Sequence, residues 1–273
     1  MPTPRQVFFG EAPEGERTIS GVMPHYGFFF GPMHYVVRRA DTLATRAASA
    51  GGGEAGAPRF RVEVTVGVDP PKAELLELPD CALVQELGVG SCRGVAYEDA
   101  EGTSACPSSG VFTTPATKAA VRALLARWSR EAEALYNRDA ELFGLPVRYD
   151  FTFAVIGEAR AVGAPAPARY DITLPLAPTC GRTPYFSAFR SGWSVPVVAH
   201  ELGHVLGLLD EYETFSGIVP AYPKTPFAGA EVSRMGLSMK RGTRVLPLHH
   251  YLVLRRFFCP EPVKGGFYQG AGL

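Results

Sequence analysis

What this sequence lacks narrows it first. It has no excess charge of either sign: 27 Lys and Arg offset 27 Asp and Glu across 273 residues. A neutral balance supplies no electrostatic basis for binding nucleic acid or an anionic membrane. No apolar run approaches the roughly 20 residues that a spanning helix needs. The opening residues, Met1 to Gly10, contain no basic segment leading into an apolar core, so no ordinary signal peptide is expected. The expected location is therefore cytoplasmic, or outside the cell by a non-Sec route. Cysteine is scarce and odd in number: Cys81, Cys92, Cys106, Cys180 and Cys259. None of them forms a C-x-x-C pair, which argues against a thiolate-held structural metal site. One disulfide among Cys81, Cys92 and Cys106, or a Cys180–Cys259 pair, is open to the chain in an oxidising compartment. Free thiols are the default expectation. With 46% hydrophobic and 20% charged residues, what remains is a globular protein with one large domain.

Chemistry concentrates in one stretch, Val195 to Tyr212, which contains His200-Glu201-x-x-His204-x-x-Gly207-x-x-Asp210. Residues four apart on a helix lie nearly one above the other, so His200 and His204 share a face. Two imidazoles at that spacing can ligate one zinc ion, with Glu201 between them placed to take a proton from the attacking water. Gly207 stands where the helix can break into a positive-φ turn. Asp210, three residues on, can then swing back as a third ligand. The surrounding Val197, Val198, Leu202, Val205, Leu206, Leu208 and Leu209 predict a buried helix. Ionisable groups in such a helix are costly unless paired or metal-bound.

Along the chain, residues 1–25 read as an irregular arm and Tyr26–Arg39 as a strand or hairpin; residues 40–58 read as a flexible linker. His25 and His34, beside aromatic residues, are read as structural. Arg59–Val68 alternates, with Val62, Val64, Val66 and Val68 on one face, and predicts a half-buried strand. A loop-rich, cysteine-bearing insertion is expected at about 69–113, with a short helix at Ala73–Leu78. Thr114 and Pro115 are read as the cap and first residue of a long helix running to about Phe143, where Gly144 stops it. Its apolar stripe is Val121, Leu124, Leu125, Trp128, Ala132, Leu135 and Leu142. Val147–Ile156 and Arg169–Leu174 are expected strands, and Pro247–Phe258 a last helix opened by solvated or capping histidines, His249 and His250. The domain reading is thus 1–58 as arm, hairpin and linker, and 59–273 as the main domain.

These residues resemble the metzincin group of zincin metallopeptidases. The resemblance rests on His200, Glu201, His204, Gly207 and Asp210, with architecture from 59–68 and 114–258 in support. It implies an α+β zincin-like (metzincin) fold: a twisted, mostly parallel sheet packed with two long helices, an active-site helix, a methionine turn and a C-terminal helix. The turn methionine is Met239, with Met235 as the alternative. Aspartate as third ligand resembles the snapalysin-like branch of small secreted bacterial peptidases. Glu211 is an adjacent competitor for the metal, and Glu231 is the ligand a gluzincin scheme would use. Cys92-Arg-Gly-Val invites comparison with the inhibitory cysteine of some zinc peptidase propeptides, but the match is a few residues long and an ordinary loop cysteine is the better reading. The implied function is a zinc metalloendopeptidase, monomeric, acting on a protein or peptide substrate extended along an edge strand near 169–174. Secretion machinery and self-processing are the further partners considered. The alternative is a zincin-like toxin, bacterial effector or binding module with a structural, non-hydrolytic zinc site.

Overall fold

The computed structural model describes residues 15–25, 29–39, 60–87, 112–158, 169–181, 185–211, 232–236 and 242–258. Within them lie eight strands and four helices. The strands are β1 (Glu16–His25), β2 (Phe29–Arg39), β3 (Phe60–Asp69), β4 (Leu75–Leu78), β5 (Phe112–Pro115), β6 (Val147–Val155), β7 (Ile172–Ala177) and β8 (Phe189–Arg190). The helices are α1 (Cys81–Leu87), α2 (Lys118–Leu142), α3 (Val195–Val205) and α4 (Pro247–Phe258). The class is α+β, as the alternating and helical patterns predict, and the sheet is mixed: β1, β2 and β3 pair antiparallel, while β3 with β6 and β7, and β7 with β8, pair in parallel.

Strand β3 is the centre of the sheet. Its alternation puts Phe60, Val62, Val64, Val66 and Val68 on the buried face. Along one edge it pairs in parallel with β6 over Phe60–Val68. Its other edge is shared: β2 pairs antiparallel with residues 60–63, and β7 pairs in parallel with residues 66–69. The sheet path is β1-β2-β3-β7-β8, with β7 pairing β3 through Ile172–Pro175 and the two-residue β8 at Leu176 and Ala177.

Part of the segment expected to be an irregular arm is regular strand. Glu16–His25 forms β1, paired along its whole length with β2. Gly21 and Pro24 hide this strand from a pattern search, but hairpin pairing holds it in place. Tyr35 and Val37 of β2 are fully buried, and the Tyr35 hydroxyl donates to the Val253 carbonyl of α4 at 2.9 Å. The hairpin thus belongs to the same core as the main sheet.

Three further expectations shift. Leu75–Leu78 is a strand, not a helix, because Leu76 and Leu78 point inward at period two while Leu75 is exposed. Phe112–Pro115 pairs with it, so α2 starts later, with Thr117 as cap: its hydroxyl accepts the Ala120 N–H at 3.1 Å. Leu142 is 55% exposed, and Tyr136 takes the place in the core that the stripe assigned further on. Cys81 and Cys180 are both disulfide-bonded, which corrects the expectation of free thiols at these two positions. Cys92, Cys106, Cys259, Met239, Glu231, the linker at 40–58 and most of the 69–113 insertion beyond Leu87 lie outside the described residues.

Helix α2 also closes the outer edge of β6. Asn137 donates to the Tyr149 carbonyl at 2.9 Å and accepts the Tyr149 N–H at 2.7 Å; Glu133 accepts from Phe151, and Ser129 accepts from Phe153 at 2.9 Å. Positions 129, 133 and 137 rise about 6 Å each along a helix, close to the rise of about 6.6 Å for every second strand residue. A helix face therefore satisfies alternate amides that a bare edge would present to another chain.

Candidate metal centre

Helix α3 starts under an aromatic cluster. Phe189 of β8 packs on Trp128, Phe153 and Trp193, with ring centroids 5.4–6.1 Å apart. Ser194 then caps the helix through its backbone, and Pro196 sits in the first turn, where a missing N–H costs nothing. Every residue of α3 is buried. The Tyr136 hydroxyl of α2 donates to the Ala199 carbonyl at 3.0 Å, fixing one side of the helix.

The helix ends as a Schellman motif. Gly207 N–H donates to the His204 carbonyl and Leu208 N–H to the Gly203 carbonyl, both at 2.8 Å, with Gly207 at φ 83°. A Cβ at Gly207 would meet Arg256 Nη1 at 2.0 Å and Met33 Sδ at 2.4 Å. Arg256, from α4, donates to the Leu206 carbonyl at 3.3 Å, so a cation sits at the negative end of the helix. This turn reverses the chain and brings Asp210 back over the histidines.

His200, His204 and Asp210 are 1%, 3% and 4% exposed, and their candidate ligand atoms lie within 4.8 Å of one another. His200 Nε2 and His204 Nε2 stand 3.1 and 3.3 Å from Asp210 Oδ1. Ligands about 2.0–2.1 Å from a tetrahedral centre are roughly 3.3 Å apart, so these spacings fit one ion. The other ring nitrogens are committed to backbone carbonyls: His200 Nδ1 donates to Arg234 and His204 Nδ1 to Leu208, each at 2.8 Å. A carbonyl can only accept, so each Nδ1 bears a hydrogen and each Nε2 is the ring nitrogen turned inward, the one open to a metal. Tyr185 stacks on His204 at 5.3 Å between centroids, with its hydroxyl held by the Pro32 carbonyl at 2.9 Å.

The electrostatics favour positive charge here. Burial alone would lower the pKa of His204, but Asp210, with a smaller contribution from Glu201, outweighs it and holds the imidazole up at about 9. Burial would likewise raise Asp210, yet the two histidines keep its carboxyl well below the usual carboxylate range. Two carboxylates beside two imidazoles, all withdrawn from water, suit a cation. The buried His200–His204–Asp210 group can therefore hold a metal ion.

Other sequence candidates are sorted by position. Glu201 lies on the same helix between the two histidines and is 8% exposed. Met235 packs beneath α3, where a Cβ on Gly203 would meet its Sδ at 2.4 Å, and its carbonyl accepts the Glu211 N–H at 2.9 Å. Glu211 turns away from a ligand role: its oxygens bind His249 Nε2 and Ser233 Oγ. His249 and His250 are buried, 0% and 1% exposed, rather than solvated. His250 Nδ1 meets the Tyr149 hydroxyl at 2.8 Å, and burial, with His249 alongside, pushes its pKa down to about 3. His34 pairs with Asp171 at 3.3 Å and is not a member of this group.

Sequence reasoning missed Arg234, Leu208, Tyr185 and Arg256 as supports. Two of these act through backbone carbonyls, which leave no mark on residue identity. The chain matches no family model, no curated protein and no solved structure.

Proposed function

We propose that this protein is a zinc-dependent endopeptidase, with Glu201 as general base and a zincin-type arrangement of the metzincin kind. One observation carries the reading. Two histidines are oriented by carbonyls at Nδ1 and face one carboxylate oxygen through Nε2, with a glutamate of the same helix between them. A structural site has no need of that glutamate. The order α3, Met235, α4 supports the zincin comparison, with Met235 in the part of the methionine turn.

His200, His204 and Asp210 would hold the zinc. When bound, zinc supplies Lewis acidity, lowering the pKa of a water and sharing charge that develops on the scissile carbonyl. Glu201 takes the proton of the attacking water and passes it to the leaving amine. The carbonyls of Arg234 and Leu208 hold a hydrogen on each Nδ1, so that Nε2 is the nitrogen each imidazole would turn to the zinc. Tyr185 shields one face of His204. The substrate class is protein or peptide. Among the described residues no helix is long and apolar enough to cross a membrane.

The test is Glu201→Ala on a casein-like substrate. Zinc content should persist while hydrolysis falls by about 10²–10⁴-fold, the usual size of a lost general base. Hydrolysis at the wild-type rate would remove Glu201 from the mechanism. A wild-type protein that binds zinc and cuts nothing would favour the alternative, an effector or binding module with a non-hydrolytic site.

A further inference from the structure

Asp210 lies past the end of α3, on a segment without regular structure, so its position must be fixed from elsewhere. The next residue, Glu211, is 1% exposed and anchored on both sides. Its Oε1 lies 2.7 Å from His249 Nε2, and its Oε2 accepts from Ser233 Oγ. His249 comes from α4 and is fully buried. Its Nδ1 accepts the Leu246 N–H at 3.0 Å, which places the ring hydrogen on Nε2 and makes His249 the donor to Glu211.

The same groups are tied to the backbone beneath the metal centre. Ser233 Oγ accepts the Met235 N–H at 3.1 Å, and the Glu211 N–H donates to the Met235 carbonyl at 2.9 Å. Arg234, between them in sequence, gives the carbonyl that orients His200. A closed polar network therefore joins α4, the 210–211 segment and the Met235 turn. It touches the supports of two of the three candidate ligands. A buried network with its members satisfied is rigid, and opening it strands polar groups away from water.

We propose that His249, acting through Glu211, is a positioning residue for the metal centre. It holds Asp210 in register with His200 and His204 and so sets how tightly the site retains zinc. This rests on the zinc reading above. His249 touches neither the ion nor the substrate.

The experiment measures the zinc dissociation constant of the full chain by chelator competition, together with the melting temperature of the metal-free protein. The variants are His249→Ala, His249→Gln and Ser233→Ala, with Leu252→Ala as a packing control on the same helix, buried at 4% exposure. His249→Ala should weaken zinc binding by about 10- to 100-fold, as losing an orienting partner does. His249→Gln keeps a donor for Glu211 and should recover most of that loss. Leu252→Ala should lower the metal-free melting temperature yet keep zinc affinity within about twofold. Wild-type affinity in His249→Ala would overturn the inference, and Ser233→Ala decides in the same way if that variant does not fold. Equal losses in Leu252→Ala would overturn it too, by reducing the effect to packing. If the wild-type chain takes up no zinc, both this inference and the reading beneath it fall. If it binds zinc and the variants bind it alike, only this inference falls.

Discussion

Helix α2 runs 25 residues with Thr117 capping its first turn, whereas α3 runs 11 residues with no side-chain cap and no exposed position. Both end in the same way. Gly144 and Gly207 each take a positive φ, 60° and 83°, and each is followed by an amide that reaches back five residues. The difference lies in what keeps each helix together. In α2 an apolar stripe meets the core, while Arg122, Arg130 and Arg138 stay in water. At 11 residues α3 is too short to be stable alone, so its helicity comes from contacts made by other elements. Those contacts come from Tyr136, Met235 and Arg256 on the helix and its end, and from the Arg234 carbonyl on the candidate ligand His200. One helix is scaffold; the other is held where the scaffold needs it.

Matched substitutions can break that comparison. Gly207→Ala carries the left-handed backbone penalty and a clash with Arg256 and Met33, together about 2–5 kcal/mol. It should also cost zinc affinity, read by chelator competition beside a thermal melt. Gly144→Ala meets the backbone penalty, about 1–2 kcal/mol, and should leave zinc affinity unchanged. If the two variants proved alike in both measurements, the ligand helix would not depend on its surroundings as described. Smallest is Thr117→Ala, which should cost about 1 kcal/mol through the lost cap alone. A drop in zinc affinity there would mean that α2 and α3 are not separable.

The division also explains what could be read from the sequence. β3, β6 and the body of α2 announce themselves because burial on one face imposes period two or 3.6 on residue type. His200, Glu201, His204, Gly207 and Asp210 were legible as candidates because one short segment carries the candidate ligands, the proposed base and the turn. β1 was not, since Gly21 and Pro24 interrupt its pattern and pairing with β2 supplies the order. Ala73–Leu78 suggested a helix because Ala, Glu and Leu favour one, yet pairing with β5 made 75–78 a strand. Glu211 could not be told from a competing ligand until Ser233 and His249, 22 and 38 residues away, were seen to occupy it. Contacts at that separation leave no local pattern.

The central claim is that His200, His204 and Asp210 are ligands of one catalytic zinc. Elemental analysis of the purified chain, beside Asp210→Ala, tests it most directly. The account predicts about one zinc per wild-type chain and clearly less in the variant after mild chelation. A wild-type chain with zinc near zero, and none taken up on addition, would contradict it.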